Sequence, residues 1–117
     1  MTSLSFNDWD LEKHVADAIS QLGWEEPTQI QVEAIPFARK GMDVVGQART
    51  GSGKTAAFGI PIIESCEPNG STQAIVLCPT RELAVQVAEE FLTLQGKKGL
   101  RIETVYGGTD IEKQARL

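Results

Sequence analysis

Residues 43–55 read Asp-Val-Val-Gly-Gln-Ala-Arg-Thr-Gly-Ser-Gly-Lys-Thr. A short apolar run enters a glycine-rich turn and closes on Gly53, Lys54 and Thr55. This is the shape of a phosphate-binding P-loop, and few short patterns tie spacing so closely to architecture. It demands a buried strand, a loop whose backbone N–H groups turn inward, and a helix that starts at the lysine. Val44 and Val45 suit the strand, and Ala56, Ala57 and Phe58 suit the helix. N–H groups around Gly51, Ser52, Gly53 and Lys54 point at an anion, and the helix start adds partial positive charge. Lys54 reaches the outer phosphates of a nucleotide, and the Thr55 hydroxyl ligates Mg²⁺. One position departs from the strict pattern, since Ala48 stands where a first glycine is expected. A small residue at negative φ still permits the turn.

The rest of the chain alternates in the way such a loop requires. Leu11, Val15, Ala18, Ile19 and Leu22 recur at helical spacing, with Asp10 as N-cap and Gly23 as the terminating glycine. Pro27-Thr28 opens a second helix with Ile30, Ala34 and Ile35 on its apolar face, which Pro36 ends or kinks. The first strand falls at about 43–47. The helix after the loop meets Pro61, which should kink or end it. A second strand reads 73–78, a third 101–106, and 110–117 opens a further helix. Between the last two strands a helix carries Leu83, Val87 and Phe91 on one row and Ala84, Ala88 and Leu92 on the next, with Thr80 as its cap. Gly96-Lys97-Lys98-Gly99 reads as an exposed basic loop. Strand–helix alternation means βαβ units and a parallel sheet covered on both faces. The fold class is α/β, a three-layer parallel sheet of the P-loop NTPase type. Three segments, 48–55, 79–82 and 107–109, come to its carboxyl edge, where ligands bind in such sheets.

Charge and cysteine content narrow the partners. The net charge of −5 is uneven: residues 1–33 hold seven acids and one base, and the remainder is close to neutral. No broad basic face is present, so strong sequence-independent nucleic-acid binding is not expected of this chain by itself. No apolar run approaches a membrane span, and the start has no basic region before an apolar stretch. Cys66 and Cys78 are too few and too far apart for a metal site or a disulfide framework, which fits a reducing cytoplasm.

In order along the chain, these segments resemble the first RecA-like domain of DEAD-box ATP-dependent RNA helicases. Gly23-Trp24-Glu25-Glu26-Pro27-Thr28-Gln29-Ile30-Gln31 is similar to the Q motif, with Phe6 at the place of an isolated upstream aromatic. Ala48 to Thr55 is similar to motif I, where alanine in first position is usual. Pro79-Thr80-Arg81-Glu82-Leu83-Ala84 is similar to motif Ia, and Tyr106-Gly107-Gly108 to the glycine doublet that follows it. The resemblance divides the chain into a helical Q-motif region, 1–41, and a βαβαβα core, 42–117.

The resemblance implies roles. Gln31 reads the adenine edge of ATP. Trp24 stands in for a phenylalanine near the base, and Phe6 and Thr28 support that pocket. Ala48, Arg49, Thr50, Gly51, Ser52 and Gly53 cradle the phosphates. Lys54 and Thr55 handle phosphate and Mg²⁺. Pro79, Thr80, Arg81, Gly107 and Gly108 touch the RNA backbone. Plainer readings stand beside these. Thr28-x-x-Gln31 is also a capping box, in which Gln31 only returns to the Thr28 backbone. Phe6 and Trp24 also read as core aromatics, and Gly107-Gly108 as a turn.

No strand ending in Asp-Glu-Ala-Asp is present, and no acidic pair sits in such a context. Glu64 follows Ile62-Ile63 but belongs to the P-loop helix. The expectation is an N-terminal piece of a truncated domain. It binds adenine nucleotide, hardly hydrolyses it, and self-associates through uncovered edges. The alternatives are a non-catalytic nucleotide-binding or interaction module, and another P-loop enzyme such as a DNA helicase.

Overall fold

A computed structural model of the chain describes residues 4–49 and 51–107. The expected helix at 110–117, Thr50 and Gly108 lie outside the described residues. The described chain runs through a 3-10 turn, Phe6–Trp9, and four helices: α1 Lys13–Leu22, α2 Gln29–Arg39, α3 Lys54–Ser65 and α4 Arg81–Gln95.

Local chemistry explains where these elements begin. The Ser5 hydroxyl accepts from the Asn7 N–H at 3.2 Å, and Asp8 Oδ2 accepts from the Ser5 N–H at 2.8 Å. This reciprocal cap drives Phe6 into the core, where it is 4% exposed. Asp10 does not cap α1. It takes a left-handed conformation at φ 51°, and Glu12 caps instead, its Oε1 accepting from the His14 N–H at 3.3 Å. Gly23 ends α1 at φ 77°, as its position in the sequence predicts. Thr80 caps α4, accepting from the Leu83 N–H at 3.1 Å.

Neither proline stops its helix. Pro36 lies inside α2 and Pro61 inside α3. An interior proline costs roughly 3 kcal/mol. Around Pro61, burial offsets that: Ile60, Pro61 and Ile63 are all buried, and each large apolar side chain contributes about 1.5–3 kcal/mol when fully buried.

α3 is the hub. It packs on α2, on α4 and on α1, and α1 also packs on α4. Val15 and Ile19 meet Ile35, Ala56, Ile60, Ile63, Val87, Phe91 and Leu94 in one core. Gly59 permits α3 to approach α4 closely: a Cβ there would stand 2.9 Å from Phe91 Cε1. On α4 the buried row is Val87, Phe91 and Leu94, whereas Leu83 and Leu92 are exposed. Leu22 likewise faces out from α1.

The three expected strands are the main correction. Among the described residues, 43–47, 73–78 and 101–106 form no strand ladder. The latter two keep the two-residue alternation of a strand. Val76 and Cys78 pack against the core while Ile75 and Leu77 are 78% and 91% exposed. Ile102 packs inward and Val105 points out. Parallel pairing is characteristic of sheets covered on both faces. Here the helices cover one face, and Val45, Ile75, Leu77 and Val105 leave the other bare.

The basic loop is corrected as well. Lys98 is not solvated: its side chain is 6% exposed, and its ammonium donates to the Ile63 carbonyl at 2.7 Å. The buried Gln95 amide holds this turn closed, donating to the Leu100 carbonyl at 3.0 Å and accepting from the Leu100 N–H at 2.7 Å.

Candidate functional site

The loop 48–53 enters α3 without a side-chain cap. Gly53 occupies the N-cap at φ 82°, and Gly51 takes φ 83°. An L side chain in that left-handed region costs roughly 1–2 kcal/mol, so glycine is the residue that fits. No side chain among the described residues caps the first turn of α3, whose N–H groups lie at a positive helix end. Within the loop the Ser52 N–H donates to the Arg49 carbonyl at 3.2 Å, and the Ser52 hydroxyl donates to the same oxygen. Lys54 is exposed, and its ammonium donates to the Ala48 carbonyl at 3.1 Å. Thr55 follows, half-buried in the first turn.

α2 meets this loop through Gln31. Its side chain is buried at 2% exposure. Oε1 accepts from the Thr28 N–H at 2.9 Å, which is the capping-box contact. Nε2 donates to the Gly53 carbonyl at 3.0 Å. Both ends of the amide are thus engaged within the chain, and the capping reading and a tie to the phosphate loop hold together. A Cβ on Gly53 would collide with Gln31 Nε2 and stand 2.9 Å from Thr28 Oγ1.

Phe6 and Trp24 form a separate group. Their ring centroids lie 6.1 Å apart, and the Phe6 N–H donates to the Glu25 carbonyl at 3.1 Å. Both line a cavity of about 600 Å³ with Leu11, Ile19 and Asp10. Neither Gln31 nor the phosphate loop lines that cavity. At the start of α4, the Arg81 guanidinium lies 4.2 Å from the centroid of the Tyr106 ring, next to Gly107. Pro79 and Thr80 are exposed beside it.

The structure therefore brings Thr28, Gln31 and Gly53 together, gathers Ala48, Arg49, Ser52 and Lys54 in one loop, and joins Arg81 to Tyr106. Sequence reasoning missed Glu12, Arg39, Glu64 and Lys98, which meet in a partly buried ionic network at the far end of α2 and α3. Nothing in their local spacing signals it, because the partners are far apart in sequence: Arg39 pairs with Glu64, the Glu12 N–H bonds Glu64, and Lys98 near the other end of the chain pairs with Glu12.

Comparison with known proteins identifies the family. The sequence profile of the DEAD/DEAH box helicase family matches residues 28–117. The chain belongs to that family. It is 49% identical over 113 residues to the DEAD-box ATP-dependent RNA helicase CshA of Geobacillus kaustophilus, covering 96% of this chain and 24% of that protein. The crystal structure of a DEAD box protein from Methanococcus jannaschii superposes with a TM-score of 0.91 at 47% identity, covering 96% of this chain and 31% of that one. An RNA helicase from Chaetomium thermophilum, crystallised with ADP, gives 0.79 at 36% identity, covering 98% and 29%. The chain thus spans about a quarter to a third of the length of these relatives.

Proposed function

We propose that this chain is the nucleotide-binding portion of an ATP-dependent RNA helicase, the N-terminal part of a first RecA-like domain. Residues 1–41 form its helical Q-motif region and 42–117 its core. The observation that carries the reading is the start of α3. Two left-handed glycines, an uncapped first turn and an exposed lysine converge there. That donor set fits a chain of phosphates. Ala48 to Gly53 would supply backbone donors, Lys54 a cation, and Thr55 a hydroxyl for Mg²⁺. ATP hydrolysis, when coupled to RNA, supplies the energy for separating a duplex.

Phe6, Trp24, Thr28 and Gln31 serve the adenine end in this reading. The identity of the CshA relative and the ADP in the Chaetomium thermophilum structure support adenine. With Gln31 already bonded to Gly53 and Thr28, its part is to hold the loop to α2 as well as to select the base. Pro79, Thr80, Arg81, Gly107 and Gly108 form one end of an RNA track, in which Arg81 leaves Tyr106 for a phosphate. In a full-length helicase, segments 43–47, 73–78 and 101–106, which form no ladder in this chain, would pair as strands of a parallel sheet whose outer face other polypeptide covers. In the chain alone that face draws copies together.

Phosphoryl transfer to water needs a carboxylate near the metal and a group that positions the nucleophile. This sequence holds no Asp-Glu-Ala-Asp. The chain alone should bind ATP in preference to GTP and turn it over at a negligible rate. Steady-state phosphate release and paired calorimetric titrations test this. Robust turnover that disappears in Lys54→Ala would refute the inactive assignment, and equal affinity for the two nucleotides would refute the adenine assignment.

A further inference from the structure

A second polar cluster joins α2 and α3 at the end away from the phosphate loop. Arg39 closes the last turn of α2, and Glu64 lies in the last turn of α3. Arg39 Nε stands 2.8 Å from Glu64 Oε1, an ion pair without a linear hydrogen bond. The rest of the Arg39 fork reaches the segment before α1: Nη1 donates to the Trp9 carbonyl at 2.6 Å and Nη2 to the Asp10 carbonyl at 3.4 Å. Glu64 Oε2 accepts from the Glu12 N–H at 2.9 Å. Lys98 donates to the Ile63 and Glu64 carbonyls at 2.7 and 3.3 Å and lies 3.7 Å from Glu12 Oε2. The Glu64 and Lys98 side chains are 12% and 6% exposed.

A network of this kind is a weak stabiliser, because desolvation consumes most of the Coulomb gain. What it supplies is one geometry. The planar guanidinium fixes direction as well as distance: Nη1 and Nη2 donate to backbone carbonyls before α1 while Nε is ion-paired with Glu64. α2 is thereby fastened to α3 twice, by Gln31 to Gly53 at one end and by Arg39 to Glu64 at the other. Lys54 and Glu64 are ten residues apart, about 15 Å of helix. With one fastening α2 could pivot on α3; with two the angle is set.

We propose that Arg39 and Glu64, backed by Glu12 and Lys98, form a charge lock that fixes the angle between α2 and α3. Through that angle Arg39 acts as a positioning residue for the contact of Gln31 with the phosphate loop. The consequence for nucleotide affinity rests on the function proposed above; the geometric coupling does not.

Amide hydrogen exchange of the chain without nucleotide tests the coupling. Two amides report on the loop end: Thr28 N–H, bonded to Gln31, and Ala57 N–H, bonded to the Gly53 carbonyl. In Arg39→Met both should exchange about tenfold faster, while Phe91 in α4 keeps its protection. Arg39→Lys keeps the charge, loses the fork and should fall between. If Arg39→Met fails to fold, Arg39→Lys decides by the same two amides. A rise confined to residues 10–14 and 62–66, or a uniform rise that includes Phe91, would overturn the proposal. A calorimetric titration with ADP adds the functional arm, with affinity falling about fivefold in Arg39→Met if the angle governs the loop. Unchanged affinity beside altered Thr28 and Ala57 exchange would overturn the positioning role. If the wild-type chain does not bind ADP, the nucleotide reading fails, and the exchange data alone judge the lock.

Discussion

Gly53 takes φ 82° and ψ 20°, and its carbonyl accepts from Gln31 Nε2 at 3.0 Å and from the Ala57 N–H at 3.2 Å. One residue thus starts α3, turns the loop and anchors α2. Gly53→Ala should cost roughly 1–2 kcal/mol from the left-handed backbone alone. The new Cβ would also expel the Gln31 amide. Urea unfolding measures this, and an unchanged midpoint would show that the site relaxes freely. The glycine pattern itself was legible from spacing, as was the Thr28 to Gln31 box. The bond from Gln31 to Gly53 was not, because it spans 22 residues and depends on how α2 packs on α3. Lys98 was misread for a related reason. A lysine pair between glycines is ordinarily solvated, but here two carbonyls and a carboxylate surround the ammonium.

Among the elements, all four described helices were legible, and their ends less so. Apolar periodicity located Val15, Ile19, Ile35, Val87 and Phe91 in the core. The stop signals at Pro36 and Pro61 were local, and the packing of α3 against its neighbours overrode the second of them. The strand segments fail in the other direction. Their composition demands cover on two faces, and the described helices provide one. Val45, Ile75, Leu77 and Val105 consequently face solvent, an arrangement that invites association. Light scattering at high concentration should give a mass above the 12.7 kDa of one chain. Val45→Lys combined with Leu77→Lys should return the mass toward a monomer. A monodisperse wild-type monomer would contradict this expectation.

Over the whole molecule, the order of segments carried more information than any one of them. The family profile covers 28–117, and the Methanococcus jannaschii structure superposes over 96% of the chain. The helices α2 and α3 form the frame of the site, joined at one end by an amide and at the other by charges. Phe6 and Trp24 lie in a cavity apart from that frame, a separation that spacing alone could not reveal. The central claim is that the loop from Ala48 to Thr55 holds the phosphates of an adenine nucleotide. Calorimetric titration with ADP and Mg²⁺, on the wild-type chain and on Lys54→Ala, tests it most directly. The account predicts saturable binding to the wild type and at least about tenfold weaker binding to the variant, a loss of about 1.4 kcal/mol. Equal affinity in the two, or no binding by a wild-type chain that keeps its helices, would contradict it.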